Sequence, residues 1–180
     1  MDRFKEQIIK KQPTNKDNLT RIFIMLAALA LAFAVIFISL MFPNLFVIGF
    51  TLAIGAVYGG FYLMKNLDIE YEYIFTNGDL DVDKIMAARS RKRLITIKVN
   101  DVTDIGPCED HDDGGRTVVM ASAYDPESQD YFMDLKHASY GETRVIFTPD
   151  DEMLRMIKTS LPRSIRNKVD VPDRPEDEED

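Results

Sequence analysis

Two long apolar runs dominate the first third of the chain. Residues 22–42 are all apolar or small except Ser39, and residues 45–64 are also mainly apolar, with Thr51 and Tyr58 among the exceptions. At about 1.5 Å per residue, the first run would span roughly 31 Å as a helix, which matches a hydrocarbon core. A Pro-Asn pair separates the runs and breaks helix geometry. The pattern predicts two antiparallel transmembrane helices joined by a tight turn.

Two other interpretations of these runs are weaker. A buried helical hairpin in a soluble protein would need more amphipathic chain around it than is present. A cleaved signal peptide has a shorter apolar region, and here a second run follows at once. Neither run contains an ionisable residue, which argues against an ion or proton pathway built from this chain alone. We expect the hairpin to be an anchor.

Basic residues predict the orientation of this hairpin. They lie before the first run and directly after the second, whereas the turn between the runs has none. They are Arg3, Lys5, Lys10, Lys11, Lys16, Arg21 and Lys65. The positive-inside rule therefore predicts a multi-pass protein of the cell membrane with both termini in the cytoplasm. Residues 1–21 form a basic segment that we expect to be a short interfacial helix or a frayed tail, since Pro13 ends it early.

Small residues in both runs are candidates for helix packing. They are Ala28 and Ala32 in the first run and Gly55, Gly59 and Gly60 in the second. Small side chains let two backbones approach closely, which drives helix association in lipid. Packing within the hairpin and association into a homo-oligomer both fit this pattern.

Alternating apolar and polar residues after residue 68 predict a soluble β-rich domain over 68–162. Seven strands are expected, at 69–75, 80–85, 95–99, 102–108, 118–124, 131–135 and 145–147. Asn77-Gly78 is a strong signal for a tight hairpin between the first two. The period then changes: Thr148-Pro149-Asp150-Asp151 predicts the start of an amphipathic helix, which Pro162 ends.

This order of elements resembles the pleckstrin-homology-like (PH-like) fold. The stretches 71–80 and 97–105 look like the opening strands of bacterial PH-like domains. The resemblance implies a seven-stranded bent antiparallel sheet or partly open barrel, closed at one end by the C-terminal helix. Another small β-barrel or roll with a helical lid is the alternative. Small bacterial membrane proteins of unknown function similarly join a two-helix hairpin to such a domain.

Composition narrows the possible functions. The formal net charge of -8 argues against nucleic acid as a partner. Much of this negative charge lies in the last eleven residues, at the end of a tail over 163–180 that we expect to be acidic and disordered. No nucleophile and base share a motif, and no glycine pair opens a helix as a phosphate-binding loop does. We expect no enzyme activity and no cofactor.

The loop that follows the fourth strand contains metal-ligand types. Cys108, Asp110, His111, Asp112 and Asp113 lack the spacing of a zinc module or a calcium loop. We expect a plain acidic loop without a metal. Since Cys108 is the single cysteine, no disulfide within the chain is possible.

A basic stretch at 89–93 is the sharpest candidate site. Strand alternation returns this tip to the membrane-facing end of the domain. Arg89, Arg91, Lys92 and Arg93 are therefore predicted to contact anionic headgroups, each contributing on the order of 1 kcal/mol. The alternatives are a solvated turn and pairing with the acidic loop at 109–115.

Together these features predict a membrane-anchored, non-enzymatic binding or scaffolding protein. Its expected partners are membrane lipid and a protein of unknown identity. The alternative is an accessory subunit of a larger transport or envelope complex, packed through the small-residue helix faces.

Overall fold

The computed structural model describes residues 3–108, 115–169 and 171, and the chain divides into two compact units. The helical unit comprises Pro13–Ile69 and Met86–Ser90. The β-rich unit comprises Met1–Gln12, Glu70–Ile85 and Arg91–Asp180. Both units are discontinuous in sequence.

The helical unit contains the two apolar helices. Helix α1 (Asn15–Leu40) and helix α2 (Phe46–Lys65) are joined by a short 3-10 helix, Pro43–Leu45. Thr14 begins α1 with a capping box, in which its hydroxyl accepts from the amide of Asp17 and its amide donates to the Asp17 carboxylate. Both helices are long and apolar enough to cross a membrane, and 17% of each apolar window is buried within the protein. This exposure is what lipid-facing helices require, so the helices indicate membrane association.

Among its described residues, the β-rich unit has eight strands in two four-stranded sheets. The strands are β1 (Phe4–Lys10), β2 (Ile69–Thr76), β3 (Asp79–Met86), β4 (Ser90–Lys98), β5 (Val102–Pro107), β6 (Thr117–Ala121), β7 (Tyr131–His137) and β8 (Gly141–Phe147). The sheet orders are β1-β2-β3-β4 and β5-β7-β8-β6. Strands β2 to β8 overlap the seven predicted strands, although β4 and β8 begin about five and four residues earlier than predicted. The predicted count of seven is wrong, because β1 adds an eighth strand in the described residues. The expectation of wholly antiparallel pairing is also wrong, because β6 pairs with β8 in parallel.

Strand β1 corrects the prediction for the N-terminal segment. Residues 4–10 form neither an interfacial helix nor a frayed tail, because they pair antiparallel with β2 from Phe4↔Thr76 to Lys10↔Glu70. Exposed and half-buried side chains alternate along β1, as they do in a strand with one face covered. The helical hairpin is therefore an insertion between two neighbouring strands. Because paired strands lie on the same side of a membrane, the chain between β1 and β2 must cross it an even number of times.

Helix α3 (Asp151–Ser160) follows β8. The Asp150 side chain accepts from the amide of Met153 at 2.6 Å and so caps the helix. Its buried residues are Met153, Leu154 and Ile157, as the amphipathic pattern predicts. Two short 3-10 helices, Val99–Asp101 and Arg166–Lys168, complete the secondary structure of the described residues.

The start of the predicted tail is folded. Ile165 is 7% exposed and Val169 is 1% exposed, so residues 163–169 pack into the β-rich unit. The prediction of a disordered tail beginning at 163 is wrong for this stretch. Residues 170 and 172–180 lie outside the described residues.

Candidate functional site

The basic stretch 89–93 has a different geometry from the predicted turn. The turn between β3 and β4 is centred on Ala87 and Ala88, with φ of 53° and 51°, and the Arg89 amide donates to the Met86 carbonyl at 3.0 Å. Positive φ at both central residues is characteristic of a two-residue hairpin loop. Because β4 begins at Ser90, Arg89 lies in the turn while the next three basic residues lie on the strand.

Arg89 lies against the end of α2. Its guanidinium carbon is 5.1 Å from the ring centre of Tyr62, on the last turn of that helix. The Ala87 amide donates to the carbonyl of Asp68 at 2.9 Å, and the Asp68 carboxylate accepts from Arg21 at 2.7 Å. All of these residues belong to the helical unit. Arg89 therefore pairs with Tyr62, and Arg21 with Asp68, where the apolar part of the hairpin ends.

Arg91 holds a buried carboxylate. Its guanidinium donates to Glu72 Oε1 at 2.7 Å, and the two side chains are 55% and 1% exposed. The other oxygen, Glu72 Oε2, is buried and has no hydrogen-bond partner among the described residues. Burial raises the pKa of Glu72, Arg91 opposes the rise, and the neighbouring Glu6 adds to it. Alternation along β2 predicts an exposed glutamate here, so sequence reasoning missed this group.

Arg93 is also paired on the sheet. Its guanidinium contacts Asp83 Oδ1 and Asp81 Oδ2, both at 2.7 Å. The hydrogen bond to Asp83, which is 3% exposed, is the largest contribution raising the pKa of Arg93. Lys92 is exposed and has no ion pair in the described part of the chain. The acidic loop offered as an alternative partner falls mainly on 109–114, outside the described residues.

The predicted helix-packing residues fall into two groups. Ala28 and Ala32 are buried, and a Cβ added at Gly60 would lie 2.7 Å from the Ala28 Cβ, so these three lie in the contact between the helices. A Cβ added at Gly55 or Gly59 would meet nothing within 4 Å, so neither position is in close contact with α1. Packing within the hairpin therefore uses a different glycine face from the one at 55 and 59.

Two further residues of this contact were not singled out in the sequence. Gly49 lies directly against the Ser39 side chain, and a Cβ there would overlap it. The Ser39 hydroxyl donates to the Ile36 carbonyl at 2.8 Å, which satisfies this polar group inside the apolar helix. The signal that identifies both is their position on the same helix faces as Ala28 and Gly60.

A buried polar network lies inside the β-rich unit. The Tyr73 hydroxyl donates to the Ala121 carbonyl and accepts from the Thr148 amide at 3.1 Å. The Thr148 and Ser122 hydroxyls both donate to the Asp130 carboxylate. Burial raises the pKa of Tyr73. These groups satisfy one another's hydrogen bonds, so all three hydroxyls are already hydrogen-bonded. The network also links strands to the loops beside them.

The predicted acidic loop is mostly undescribed. Cys108 is buried, and residues 110–113 lie outside the described residues. His137, which is distant in sequence, stacks on Tyr140 with ring centres 4.9 Å apart. No group of three or more potential metal ligands occurs among the described residues.

Comparison with known proteins agrees with the fold. A model of the family described as "Bacterial PH-like domain (DUF6106)" matches residues 1–167, which include β1, the helical hairpin and the folded segment after α3. No curated protein and no solved structure matches the chain. The resemblance carried by the strand order is thus confirmed over nearly the whole described chain. The chain belongs to the bacterial PH-like domain family DUF6106.

Proposed function

We propose that this protein is a membrane-tethered, non-enzymatic binding module that presents its PH-like domain at the cytoplasmic face of the cell membrane. The observation that carries the proposal is the insertion of the apolar hairpin between β1 and β2. The connections are short, since β1 ends at Lys10 and α1 begins at Asn15. A domain attached at both ends of a hairpin stays near one leaflet, and this raises its local concentration for partners there.

The basic tip supports contact with anionic headgroups in this proposal. Arg89 stacks on Tyr62 at the end of the apolar helix and has no ion pair among the described residues. Lys92 also has no ion pair among the described residues, and Lys65 ends α2 on the turn that carries Tyr62. Unpaired cations at a membrane surface attract anionic lipid, whereas the paired guanidinium of Arg93 is already neutralised.

Lipid retention by the full chain tests this contact. The protein is solubilised in mixed micelles of phosphatidylglycerol and phosphatidylcholine, and the retained lipids are quantified after gel filtration. Arg89→Ala with Lys92→Ala should reduce the phosphatidylglycerol preference by roughly thirtyfold, because each of the two cations contributes about 1 kcal/mol. Lys136→Ala, an exposed cation on β7, is the matched control and should have little effect. Equal losses from both variants would contradict the proposed site.

A protein partner is the second part of the proposal. It would engage the loops or the sheet surface of the PH-like domain. Chemical crosslinking in native membranes, followed by affinity recovery of the full chain, identifies it. Recovery of a partner crosslinked to the PH-like domain supports the binding module.

The alternative function is an accessory subunit of a larger membrane complex, and the exposed glycines favour it. Gly55 and Gly59 lie four residues apart on α2, and a Cβ at either position would meet nothing within 4 Å, so there is room for another helix beside them. Gly55→Leu with Gly59→Leu should leave the hairpin intact. Loss of partner recovery in this variant would favour the subunit, whereas unchanged recovery would favour the soluble domain as the working surface.

A further inference from the structure

We propose that Glu72 is a proton-operated latch on Arg91. Its carboxylate holds the guanidinium on the sheet, and uptake of a proton from solvent releases Arg91 to an anionic lipid headgroup. This inference rests on the proposed membrane-surface contact and adds a regulation to it.

The geometry of Glu72 is that of a carboxylate held out of solvent by one partner. The side chain is 1% exposed, and its single ion pair among the described residues is with Arg91, at 2.7 Å. The second oxygen is buried without a partner. A buried carboxylate that keeps an unpaired oxygen binds a proton more readily than one that is fully hydrogen-bonded.

The surrounding charges favour protonation as well. Glu6 reaches Glu72 from β1, and Asp83 adds negative charge from β3, although Arg93 is bound to Asp83. Arg91 from β4 is the opposing positive charge. These effects add to burial in raising the pKa of Glu72 above its ordinary value of 4.5. Protonation therefore occurs at a milder acidity than for an exposed glutamate.

Arg91 is suited to be the released group. Its side chain is 55% exposed even while paired, so a headgroup can reach it without unfolding the sheet. It follows Arg89, which lies against Tyr62 at the end of α2, by two residues. Neutralising Glu72 removes the charge that competes with lipid phosphate for this guanidinium. Acidification should thus add a cation to the membrane-surface site.

The lipid-retention measurement, repeated from about pH 8 to about pH 5, tests the latch, since this range lies above the ordinary glutamate value. For the natural chain, the phosphatidylglycerol preference should rise as the pH falls, by about fivefold for one added cation. Glu72→Gln, which imitates the protonated form, should show the high preference throughout. Glu6→Gln should retain the response but move it to lower pH, because it removes a neighbouring negative charge.

Arg91→Gln separates this inference from the proposed function. It should abolish the pH response while keeping the preference that depends on Arg89. A natural chain whose preference does not change with pH, or a Glu72→Gln variant that responds as the natural chain does, would overturn the latch. Absence of any Arg89-dependent preference would overturn the membrane-surface site itself, and the latch with it.

Should Glu72→Gln fold poorly, carbon-13 NMR of labelled glutamate in the natural chain gives an independent result. Titration of Glu72 at the ordinary glutamate value would refute the latch. A raised value that increases further with phosphatidylglycerol, relative to the neighbouring Glu70, would support it, because binding and protonation must be reciprocally coupled.

Discussion

A methyl group added at Gly60 tests how the two apolar helices meet. In Gly60→Ala the new Cβ would lie 2.7 Å from the Cβ of Ala28, whereas carbon atoms in contact ordinarily lie about 3.5–4.0 Å apart. Both atoms are fixed to helix backbones, so the helices must separate by about 1 Å. This would also loosen the contacts of the buried Ala32 and Ala53. The expected cost is about 1–3 kcal/mol.

Gly55→Ala is the matched control. Its new Cβ meets nothing within 4 Å, and alanine is the better helix former by up to about 1 kcal/mol. The rescue variant combines Gly60→Ala with Ala28→Gly, which moves the methyl group to the other helix. Because the two sites are in contact, their effects should be coupled by about 1–3 kcal/mol in the direction of recovery.

Unfolding of the full chain by SDS in mixed micelles, followed by circular dichroism, measures these differences. We expect Gly60→Ala to unfold at lower SDS than the natural chain, Gly55→Ala to be unchanged or more resistant, and the exchanged pair to recover most of the loss. Equal behaviour of the two single variants, or no recovery in the pair, would refute the assigned contact.

Three further predictions concern the strands and the turns between them, and thermal unfolding of the full chain checks each. Ala88→Gly should stabilise the protein by about 1 kcal/mol, because glycine adopts the positive φ of 51° at this position without strain. Gly78→Ala should destabilise the protein by a similar amount, because alanine is strained at φ 100°. Changes of the same sign in both variants would contradict the turn geometry. Gln7→Ala should cost about 1–3 kcal/mol, because its amide bonds two backbone groups before α3, at 3.1 and 2.9 Å; no loss would refute that role. Since folding raises the pKa of Glu72 above 4.5, the natural chain should lose stability as the pH rises from 4.5 through the raised pKa. Glu72→Gln should remove this decline. A dependence of stability on pH that is the same in both chains would contradict the burial argument.

Local patterns predicted most elements of this fold because each pattern lies within a short window. The apolar runs, the alternation of β2 to β8 and the capped amphipathic helix all have this property. Strand β1 also alternates, but its partner is separated from it by the whole hairpin. The basic residues next to its apolar ones, such as Arg3, Lys5 and Lys10, also fit an interfacial helix. The parallel pairing of β6 with β8 could not be predicted from the sequence either, because side chains alternate in the same way in parallel and antiparallel strands.

The candidate site was predicted in position but not in its pairing. Charge density identified the basic stretch, whereas the carboxylates that bind Arg91 and Arg93 come from other strands. Glu72 occupies an outward position in the alternation of β2 and is nevertheless buried. Similarly, spacing identified Gly55 and Gly59 as a small face, but the spacing of glycines does not say which side of a helix its neighbour covers.

Disulfide trapping between β1 and β2 in native membranes tests most directly that the hairpin is inserted between paired strands. Glu6 and Ile74 are directly opposite in the register, so cysteines at both positions of a Cys108→Ala chain lie within disulfide distance. We predict rapid crosslinking of this pair and none of a pair at Glu6 and Glu70, which lies about four residues out of register, roughly 13 Å along the strand. No crosslink at 6 and 74, or equal crosslinking of both pairs, would contradict the account.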